Sequence, residues 1–511
     1  MTRLLCCLTF ALLSTVSRAD ERPNILLIYT DDHSHRTVGC YPEAYPWVRT
    51  PNIDRLAKTG TRFTHAYIGT WCMPSRAAIL TGHHPYGVQS MRMVGKYPGS
   101  TYDPKKCRFW PSVFRRSGYV TAQIGKWHTG TDTGHGRDWD FQMVWNRPRH
   151  VENAGAYYYD QLIEVNGGKA KKVKGYSTDN YTKLATEFIH GKHRKKDKPW
   201  FLWLCYGAVH GPFTPAKRHL KAFPNLKVPT PKDIYPPRAG KPKYMQQGRF
   251  WEKDDQGRPV MRGGGFDAKT VSGKGIHGNT LSDWVRQYHQ GVLAIDEGVG
   301  RIMTSLRKTR QLKNTLVIFT SDQGFAWGQH GLRMKLAPYD AAIRSPLIVS
   351  MPGTLPEGQV CEHPVGGTDL APTIFSFAKQ KLPWKMHGHD LTPLLKNAKA
   401  EWNHPVLTTL TGRSYGADTD VIPTDPKKRD LNGIPWWISL TKGRYKYIRT
   451  LIANEIEELY DLKSDPEELT NLALKKEHGA RLKKFRQALL DELKRTDAGI
   501  LKNLPPVRSR R

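Results

Sequence analysis

Two pairs of oxygen-bearing side chains close separate apolar runs of strand length in this chain of 511 residues. Asp31 and Asp32 close one run, and Asp322 and Gln323 close another far along the chain. Since the carboxyl ends of neighbouring parallel strands meet at one crevice of an open α/β sheet, we expect these four side chains to lie together. An isolated acidic pair is as often a turn or a helix cap. The two pairs together predict a Ca²⁺ site, with Mg²⁺ as the alternative, because both ions bind oxygen ligands.

Basic side chains close two further apolar runs. Lys126 and His128 stand in the segment GKWH at the end of one run, and His210 begins the segment HGPF after the other. A single Lys or His is usually solvated or structurally satisfied, so neither segment predicts catalysis by itself. The structural interpretation is also favoured for five other histidines, which are His33, His65, His83, His84 and His330.

Cys72 opens the segment CMPSRAAILTG at the start of an apparent helix. A cysteine in such a place is by itself more often a buried structural thiol or half of a disulfide. The amino terminus of a helix also favours an anion, through its dipole and its free N–H groups. The position of Cys72 is therefore suited to an anionic group, whatever the fate of the thiol.

The eleven residues 72–82 resemble the formylglycine signature of the type I sulfatases. In that family the cysteine is oxidised during export to an aldehyde, 3-oxoalanine, whose hydrate is a gem-diol. A thiolate or an alkoxide that attacked sulfur would leave a stable sulfated enzyme, whereas the second hydroxyl of a gem-diol loses its proton and expels sulfate. The resemblance thus implies that Cys72 is the precursor of the nucleophile, and that the chain is a sulfuric ester hydrolase acting by covalent catalysis.

The resemblance also implies the ligands of the metal ion. Carried over position by position, they are Asp31, Asp32, Asp322 and Gln323, together with the modified Cys72. Many relatives have Asn or His where this chain has Gln323, but an amide oxygen still suits Ca²⁺. The implied cofactors are Ca²⁺, or Mg²⁺ in its place, and formylglycine. A divalent charge there would counter the anionic oxygens of a sulfate ester.

The remaining catalytic roles are implied by the same resemblance. The segments that contain these residues resemble elements of the family, and so does the position of Lys335 after the second acidic pair. Arg76 and Lys126 are expected to hold the diol, while Lys126, Lys335 and His210 contact the sulfate oxygens. His128 is expected to be the base that collapses the sulfated intermediate. His210 or Lys335 would protonate or stabilise the leaving alkoxide.

Apolar runs alternate with helix-like stretches along most of the chain. Strands are predicted at residues 24–29, 119–124, 200–209, 315–319 and 346–350. Residues 284–302 carry apolar side chains at helical spacing. This alternation predicts a mostly parallel sheet with helices on both faces. The resemblance extends from Pro23 to Leu472 and implies an alkaline-phosphatase-like α/β sandwich with a smaller carboxyl-terminal α+β domain.

Changes in composition along the chain predict its domain boundaries. We expect a catalytic domain at residues 20–400, a small-sheet domain at 401–500 and a disordered basic tail at 501–511. Residues 221–280 are rich in Pro, Gly and Lys and lack periodicity. They are therefore predicted to form a long surface excursion at the rim of the crevice.

Residues 1–19 have the pattern of a secretory signal, with a basic residue, an apolar stretch and small residues before a cleavage site after Ala19. No later segment approaches the roughly 18 apolar residues of a membrane span, so no membrane anchor is expected. A secreted or periplasmic location follows, and a formylglycine-generating maturation enzyme is an expected partner. Besides Cys72, the mature chain keeps Cys40, Cys107, Cys205 and Cys361. Whether these four cysteines form disulfides stays open.

The chain is strongly basic, with 79 Lys and Arg against 46 Asp and Glu and a formal net charge of +33. Such a field attracts any polyanion, and the stretches 169–174 and 192–196 concentrate it. No nucleic-acid module is recognised, so nucleic acid is not an expected partner. For an exported sulfatase, the favoured substrate is a sulfated polysaccharide or its oligosaccharides, attacked from chain ends.

Three alternative functions remain open at this point. The chain could hydrolyse a small aryl or choline sulfate, or act as a phosphonate or phosphodiester hydrolase of the same superfamily. It could also be a polyanion-binding protein without catalysis, in which Cys72 stays a thiol. Residues 221–280 and 415–435 are expected to select the substrate but carry no readable code, so the glycan and the sulfate position stay open.

Overall fold

The computed structural model of the protein describes residues 22–94, 99–248, 250–262 and 278–508. The predicted signal at 1–19 and the last three residues of the tail lie outside the described residues. The strands are β1 (Asn24–Thr30), β2 (Thr61–Tyr67), β3 (Met91–Arg92), β4 (Thr101–Tyr102), β5 (Val120–Trp127), β6 (Phe141–Asn146), β7 (Tyr159–Val165), β8 (Lys171–Tyr176), β9 (Trp200–Cys205), β10 (Trp251–Lys253), β11 (Pro259–Met261), β12 (Thr315–Ser321), β13 (Ser345–Ser350), β14 (Gln359–Cys361), β15 (Val365–Gly366), β16 (Val406–Leu410), β17 (Trp437–Lys442), β18 (Tyr445–Thr450) and β19 (Glu457–Asp461). The α-helices are α1 (Pro51–Lys58), α2 (Cys72–Thr81), α3 (Pro111–Arg116), α4 (Ser177–Ile189), α5 (Leu281–Lys308), α6 (Asp340–Ile343), α7 (Leu370–Phe377), α8 (Thr392–Lys396), α9 (Pro426–Arg429) and α10 (Gly479–Arg495).

A sheet of eleven strands forms the centre of the described structure. Its order is β14-β2-β13-β12-β1-β9-β5-β6-β7-β8, and β15 also pairs with β2. The central strands β12, β1, β9, β5 and β6 are parallel to one another, whereas β13 and β7 run antiparallel to their neighbours. The predicted mostly parallel sheet is therefore confirmed, with antiparallel strands added at both sides.

The two faces of the sheet are buried in separate apolar cores, because successive side chains of a strand point to opposite faces. On β1, Leu26 and Ile28 pack in the core that includes α4 and α5. Ile25 and Leu27 pack in the core that includes α2, α3 and α7. Burial on both faces explains why the central strands are continuous apolar runs in the sequence.

Two strand ends differ from the sequence prediction. Strand β5 continues through Trp127, so Lys126 lies on the strand itself and not in the loop after it. Strand β9 ends at Cys205, short of the predicted end at 209. The regular pairing with β1 stops at Cys205, although beyond it the N–H of Val209 still donates to the carbonyl of Asp31 at 2.6 Å.

The small carboxyl-terminal domain is an antiparallel sheet in the order β16-β17-β18-β19. Helix α10 packs on one face through three buried leucines, Leu482, Leu489 and Leu493. The other face packs against the segment 326–343 of the large domain. In this interface the buried ammonium of Lys446 pairs with Asp340 and, at 2.7 Å, with Glu468. The small domain thus shares a buried, partly ionic interface with the loop region that follows β12.

Two segments that the sequence predicts to be irregular make specific contacts. In the predicted disordered tail, the N–H of Asn454 donates to the carbonyl of Pro506 at 2.9 Å. In the predicted excursion at 221–280, the indole of Trp251 donates to the carbonyl of Leu332 at 3.0 Å. In each segment a backbone acceptor, which a composition pattern does not reveal, joins a described residue to the body of the protein.

The described cysteines are all free thiols. The open question of pairing among the cysteines at 40, 107, 205 and 361 is therefore answered for this structure, and Cys72 is also unpaired. Among the described residues, no helix has both the length and the apolar character that a membrane crossing requires.

Candidate active site

Strands β1 and β12 carry three carboxylates to one point at the carboxyl edge of the sheet. Thr30 is the register partner of Ser321, so Asp31 and Asp322 follow side by side. The N–H of Asp32 donates to Oδ1 of Asp322 at 2.9 Å. One oxygen from each carboxylate lies within 4.8 Å of the other two, and all three residues are buried. We call these three residues the carboxylate cluster, which is the grouping that the sequence predicts.

Three cationic side chains surround the carboxylate cluster. Lys126 contacts Asp31 directly from β5, and the ammonium of Lys335 donates to Oδ1 of Asp32 at 2.6 Å. The guanidinium of Arg76 lies 3.6 Å from two carboxylates of the cluster. Buried charges are stable only when they are paired, so these cations and carboxylates depend on one another.

Cys72 begins α2 and faces the carboxylate cluster. Its Sγ donates to Oδ1 of Asp31 at 3.2 Å and accepts from the ammonium of Lys335 at 3.1 Å. Arg76 stands four residues later on the same face of the helix, which brings its guanidinium to the same point. The helix ends at Gly82, whose φ of 74° lies in the left-handed region that glycine adopts without strain. Helix α2 therefore positions both residues of the sulfatase-like segment that are expected to act.

Burial controls the protonation of this site. It raises the pKa of Cys72 to about 12, and the charge of Asp31 adds to the effect. An unmodified Cys72 is therefore a neutral thiol near pH 7, and a neutral thiol is a poor nucleophile. Burial, with the charge of Asp31, also raises the pKa of Asp322 to about 8. Burial opposes ionisation of Asp31 as well, but Lys126 and His210 hold the pKa of that carboxyl well below its usual range.

His128 lies directly after β5, fully buried beside Arg147. The guanidinium of Arg147 lies 3.1 Å from each ring nitrogen of His128. Burial, reinforced by the charge of Arg147, holds the pKa of His128 well below its usual range. The ring is therefore neutral near pH 7 and available as a proton acceptor.

His210 stands at the turn that follows β9, where its ring stacks on Tyr157 with 4.0 Å between ring centroids. Its Nε2 lies 3.7 Å from Oδ2 of Asp32, and its Nδ1 lies 2.7 Å from the carbonyl oxygen of Gly211. Burial, followed by the charge of Lys335, lowers the pKa of His210 well below its usual value. The stacking and the ring contacts fix His210 at the edge of the carboxylate cluster.

A cavity of about 240 Å³ opens above these residues. Asp32, His210 and Lys335 form part of its floor, so the cavity reaches the carboxylate cluster. Its wall includes Trp71 and, from the small domain, Arg413. Further lining residues are Gly211, Phe213, Phe325, Arg333, Met334, Leu336, Leu431 and Asn432.

The structure brings together the ten residues with predicted catalytic or metal-binding roles, which are Asp31, Asp32, Cys72, Arg76, Lys126, His128, His210, Asp322, Gln323 and Lys335. Of the five histidines given a structural interpretation, none is among the described residues that line the cavity. His33 instead contacts Thr30 through its ring at 3.2 Å, and His330 pairs with Asp233 at 2.6 Å.

Sequence reasoning missed two residues that contact the expected catalytic groups. Arg147 follows β6 directly, so the rule that polar residues after strands face the crevice could have found it. Tyr157 lies in a loop without a periodic pattern, and its hydroxyl accepts from the ammonium of Lys126 at 3.4 Å. No sequence signal identifies this tyrosine, because its role depends on contacts between distant segments.

The residues of the carboxylate cluster fit a hard divalent cation. Oδ2 of Asp322 is buried and has no hydrogen-bond partner among the described residues. The amide nitrogen of Gln323 donates to Oδ1 of Asp32, so a fourth side chain, which also carries an amide oxygen, adjoins the three carboxylates. Carboxylate and amide oxygens match the ligand preference of Ca²⁺ and Mg²⁺.

Comparison with known proteins identifies the relatives of this chain. Residues 23–380 match the family model described as Sulfatase. The N-acetylglucosamine-6-O-sulfatase of Bacteroides thetaiotaomicron is 29% identical over 515 residues, a match that covers 92% of this chain and 86% of that protein.

Solved structures extend the likeness to the fold. The structure of BT4656 in complex with its substrate, D-glucosamine-2-N,6-O-disulfate, superposes with a TM-score of 0.76 at 26% identity, over 93% of this chain and 98% of that one. The phosphonate monoester hydrolase of Agrobacterium radiobacter superposes with a TM-score of 0.66 at 21% identity, over 93% and 96% of the two chains. At that lower identity the likeness shows the fold alone.

Proposed function

The chain belongs to the sulfatase family, and from this premise we propose that it is an exported enzyme that removes sulfate from a sulfated carbohydrate. The observation that carries the proposal is the setting of Cys72. Its sulfur lies 3.2 Å from Asp31 and 3.1 Å from Lys335, inside a buried group of carboxylates and cations. This arrangement suits an oxygen nucleophile that must approach an anionic ester.

We propose that Cys72 is converted to formylglycine, whose hydrate supplies one hydroxyl to attack sulfur and a second to expel sulfate afterwards. The pKa of about 12 for the unmodified thiol supports this proposal, because such a thiol is mostly protonated near neutral pH. The free state of Cys72 and its place at the first turn of α2 are compatible with modification before folding.

The cations around Cys72 would bind and orient the sulfate group. Lys335 already donates to Sγ of Cys72, so its ammonium lies within reach of a group carried at that position. Lys126 and Arg76 pair with Oδ2 of Asp31, whereas Cys72 contacts Oδ1, and there they would hold the hydroxyls of the nucleophile. Positive groups fixed before the substrate arrives stabilise developing negative charge at low reorganisation cost.

Two histidines would move protons. His128 is neutral because burial and Arg147 lower its pKa, which suits a base that accepts a proton when sulfate leaves. His210, which lines the cavity beside Lys335, would donate to or stabilise the leaving alkoxide. Tyr157 would position both sites, since it stacks on His210 and contacts Lys126.

The metal proposal is that Asp31, Asp32, Asp322 and Gln323 would hold Ca²⁺, or Mg²⁺, beside the residue at position 72. Such an ion would supply positive charge to the anionic oxygens of the ester and make a neighbouring hydroxyl more acidic. Oδ2 of Asp322 supports this assignment, because it is buried, makes no hydrogen bond among the described residues and lies 3.6 Å from its ion-pair partner Arg76.

For the substrate, we propose a terminal sulfated sugar residue of an oligosaccharide or polysaccharide. The cavity volume of about 240 Å³ suits one sugar ring rather than a chain passing through. One relative is named an N-acetylglucosamine-6-O-sulfatase, and another was solved with D-glucosamine-2-N,6-O-disulfate bound. A 6-sulfated glucosamine is therefore the first compound to test. The signal at residues 1–19 supports export, with a formylglycine-generating enzyme as maturation partner.

The test is a comparison of turnover on four esters by the purified, matured protein. We expect the highest kcat/KM on glucosamine 6-sulfate oligosaccharides, lower values on 4-nitrophenyl sulfate and choline sulfate, and the lowest on an aryl phosphodiester. A higher kcat/KM on the phosphodiester would contradict the sulfatase assignment. A preference for choline sulfate or for the aryl ester would contradict the carbohydrate assignment.

A further inference from the structure

A second cavity, of about 430 Å³, opens at the edge of the main sheet opposite the carboxylate cluster. It is lined by Asn24 at the start of β1, Trp200 at the start of β9 and Asn314 just before β12. Because β1 has seven residues, its two ends lie roughly 20 Å apart. The cavity is therefore separate from the proposed active site, and we call it the amino-edge cleft.

The charges that line the amino-edge cleft are mostly positive. Arg22, Arg194, Lys196 and Lys198 line it, and Asp197 is the one acidic residue among the described lining residues. Two of these cations belong to the basic stretch 192–196, which the proposed catalytic function leaves without a role. A concave surface with charges of one sign focuses the electrostatic potential and concentrates ions of opposite charge.

Arg194 is the most constrained of these cations. Its Nε donates to the carbonyl of Phe188 at 2.9 Å, and its Nη2 donates to Ile189 at 3.0 Å and to Gln311 at 3.3 Å. These acceptors are neutral, and the described chain has no carboxylate oxygen within 4.0 Å of the guanidinium. Burial lowers the pKa of Arg194. A half-buried cation that has only neutral partners favours an anion in the adjoining space.

The floor of the amino-edge cleft is held by side-chain hydrogen bonds. Gln311 accepts from the indole of Trp200 at 2.9 Å and donates to the carbonyl of Ile189 at 2.9 Å. The guanidinium of Arg194 also lies over the ring of Trp200, 5.9 Å from its centroid. The cleft is therefore preformed, and a ligand would not have to order its floor on binding.

We propose that the amino-edge cleft is a second binding site, which takes sulfate or carboxylate groups of an anionic polysaccharide. Its cations would hold a segment of the chain while the active-site cavity engages a chain end. Two linked contacts raise the apparent affinity for a long substrate without changing the chemistry at either site. The identity of the polysaccharide rests on the proposed function, but the binding does not.

The first experiment measures binding of a fluorescent heparin oligosaccharide by anisotropy, in a Cys72→Ala background that prevents turnover. Lys196 and Lys198 are exposed on the rim, so Lys196→Gln/Lys198→Gln should not disturb the fold. We expect the Kd to rise by about tenfold, equivalent to about 1.4 kcal/mol. The matched control is Lys169→Gln/Lys171→Gln, which removes the same charge from the exposed β7–β8 hairpin and should change Kd by less than about twofold.

An equal rise of Kd in both double variants would overturn the proposal, because it would indicate a general positive field and no specific site.

Arg194→Gln should also weaken binding, with circular dichroism and thermal unfolding as checks of the fold. Polygalacturonate, whose anionic groups are carboxylates, and dextran sulfate, whose anionic groups are sulfates, distinguish the bound group as separate probes, and failure of both to bind would overturn the proposal. With Cys72 intact, Lys196→Gln/Lys198→Gln should keep its turnover of 4-nitrophenyl sulfate. Absence of sulfatase activity in the parent would contradict the proposed function but leave the binding result interpretable.

Discussion

Thr30 lies directly opposite Ser321 on the neighbouring parallel strand, and this pairing places Asp31 beside Asp322. The two carboxylates come from segments that are about three hundred residues apart, so the register of β1 with β12 creates the carboxylate cluster. A slip of one residue would turn the side chains of one strand to the other face of the sheet. Burial on both faces opposes such a slip, because the slip would exchange the residues that pack in the two apolar cores.

Divalent cations should stabilise the folded protein through the carboxylate cluster. A cation that binds only the folded state raises the stability by mass action, so we expect millimolar CaCl₂ to raise Tm by about 3 °C or more. Asp322→Asn removes one carboxylate and should abolish most of this rise. Asp255→Asn, at an exposed residue, should keep it. Equal Tm values with EDTA and with CaCl₂ in the parent protein would argue against a cation in the cluster.

Arg413 should affect sugar sulfates more than small aryl sulfates. It lines the wall of the cavity from the small domain. We expect Arg413→Ala to raise KM for glucosamine 6-sulfate by about tenfold, with little change in kcat, because it removes binding and not chemistry. Steady-state kinetics on glucosamine 6-sulfate and on a small aryl sulfate measure the changes in KM and kcat. Arg258→Ala, at an exposed arginine outside the cavity, is the control. Equal losses on both esters would contradict a role in sugar recognition.

Lys446 should be essential for the stability of the domain interface. Its ammonium is fully buried and pairs with Asp340 and Glu468. Lys446→Met would remove the ammonium that Asp340 and Glu468 share and leave Asp340 with Arg344 at 3.7 Å, and we expect it to lower the free energy of unfolding by about 3–5 kcal/mol. Urea denaturation measures the loss, and adding Glu468→Gln should recover part of it. A Lys446→Met protein as stable as its parent would refute this role.

A buried group of histidines should make the protein sensitive to acid. Burial, followed by the charge of Arg495, lowers the pKa of His84 to about 3, and burial with nearby charges lowers the pKa of His389 to about 4. His387, which accepts from the N–H of His84 at 3.0 Å, also has a strongly lowered pKa. In the unfolded chain these rings bind protons below about pH 6.5.

The unfolded state therefore binds more protons than the folded state once the pH falls below about 6.5, and stability is lost towards pH 4. Each fully neutral histidine should contribute a slope of up to about 1.4 kcal/mol per pH unit in that window. His387→Asn should reduce the slope of the unfolding free energy between pH 6.5 and 4 relative to its parent. An unchanged slope would show that His387 is not one of the groups that titrate on unfolding.

Much of the candidate site was predictable because its carboxylates directly follow buried strands. A continuous apolar run that stops at Asp31 or Asp322 identifies both the strand and the edge where its polar end lies. Lys126 differs, since it lies on β5 itself, where the strand continues past the glycine at 125. The apolar pattern therefore predicts approximately where a strand ends, and it is less accurate for the last residue of the strand.

The surroundings of the centre were less predictable, for two physical reasons. Tyr157 contacts Lys126 and His210 from a loop whose path depends on packing against distant segments. Arg413 reaches the cavity only because the small domain packs on the loop region after β12. Neither contact has a local pattern in the sequence, since both follow from tertiary arrangement.

The conversion of Cys72 is tested by the mass of the tryptic peptide that contains Cys72 and ends at Arg76, from protein matured in a host with a formylglycine-generating enzyme. We expect a mass lower by the exchange of sulfur and two hydrogens for one oxygen, together with sulfatase activity. Protein from a host without that enzyme should show the unmodified mass and no turnover. An unmodified thiol in protein that is fully active would contradict the proposed conversion of Cys72 to formylglycine.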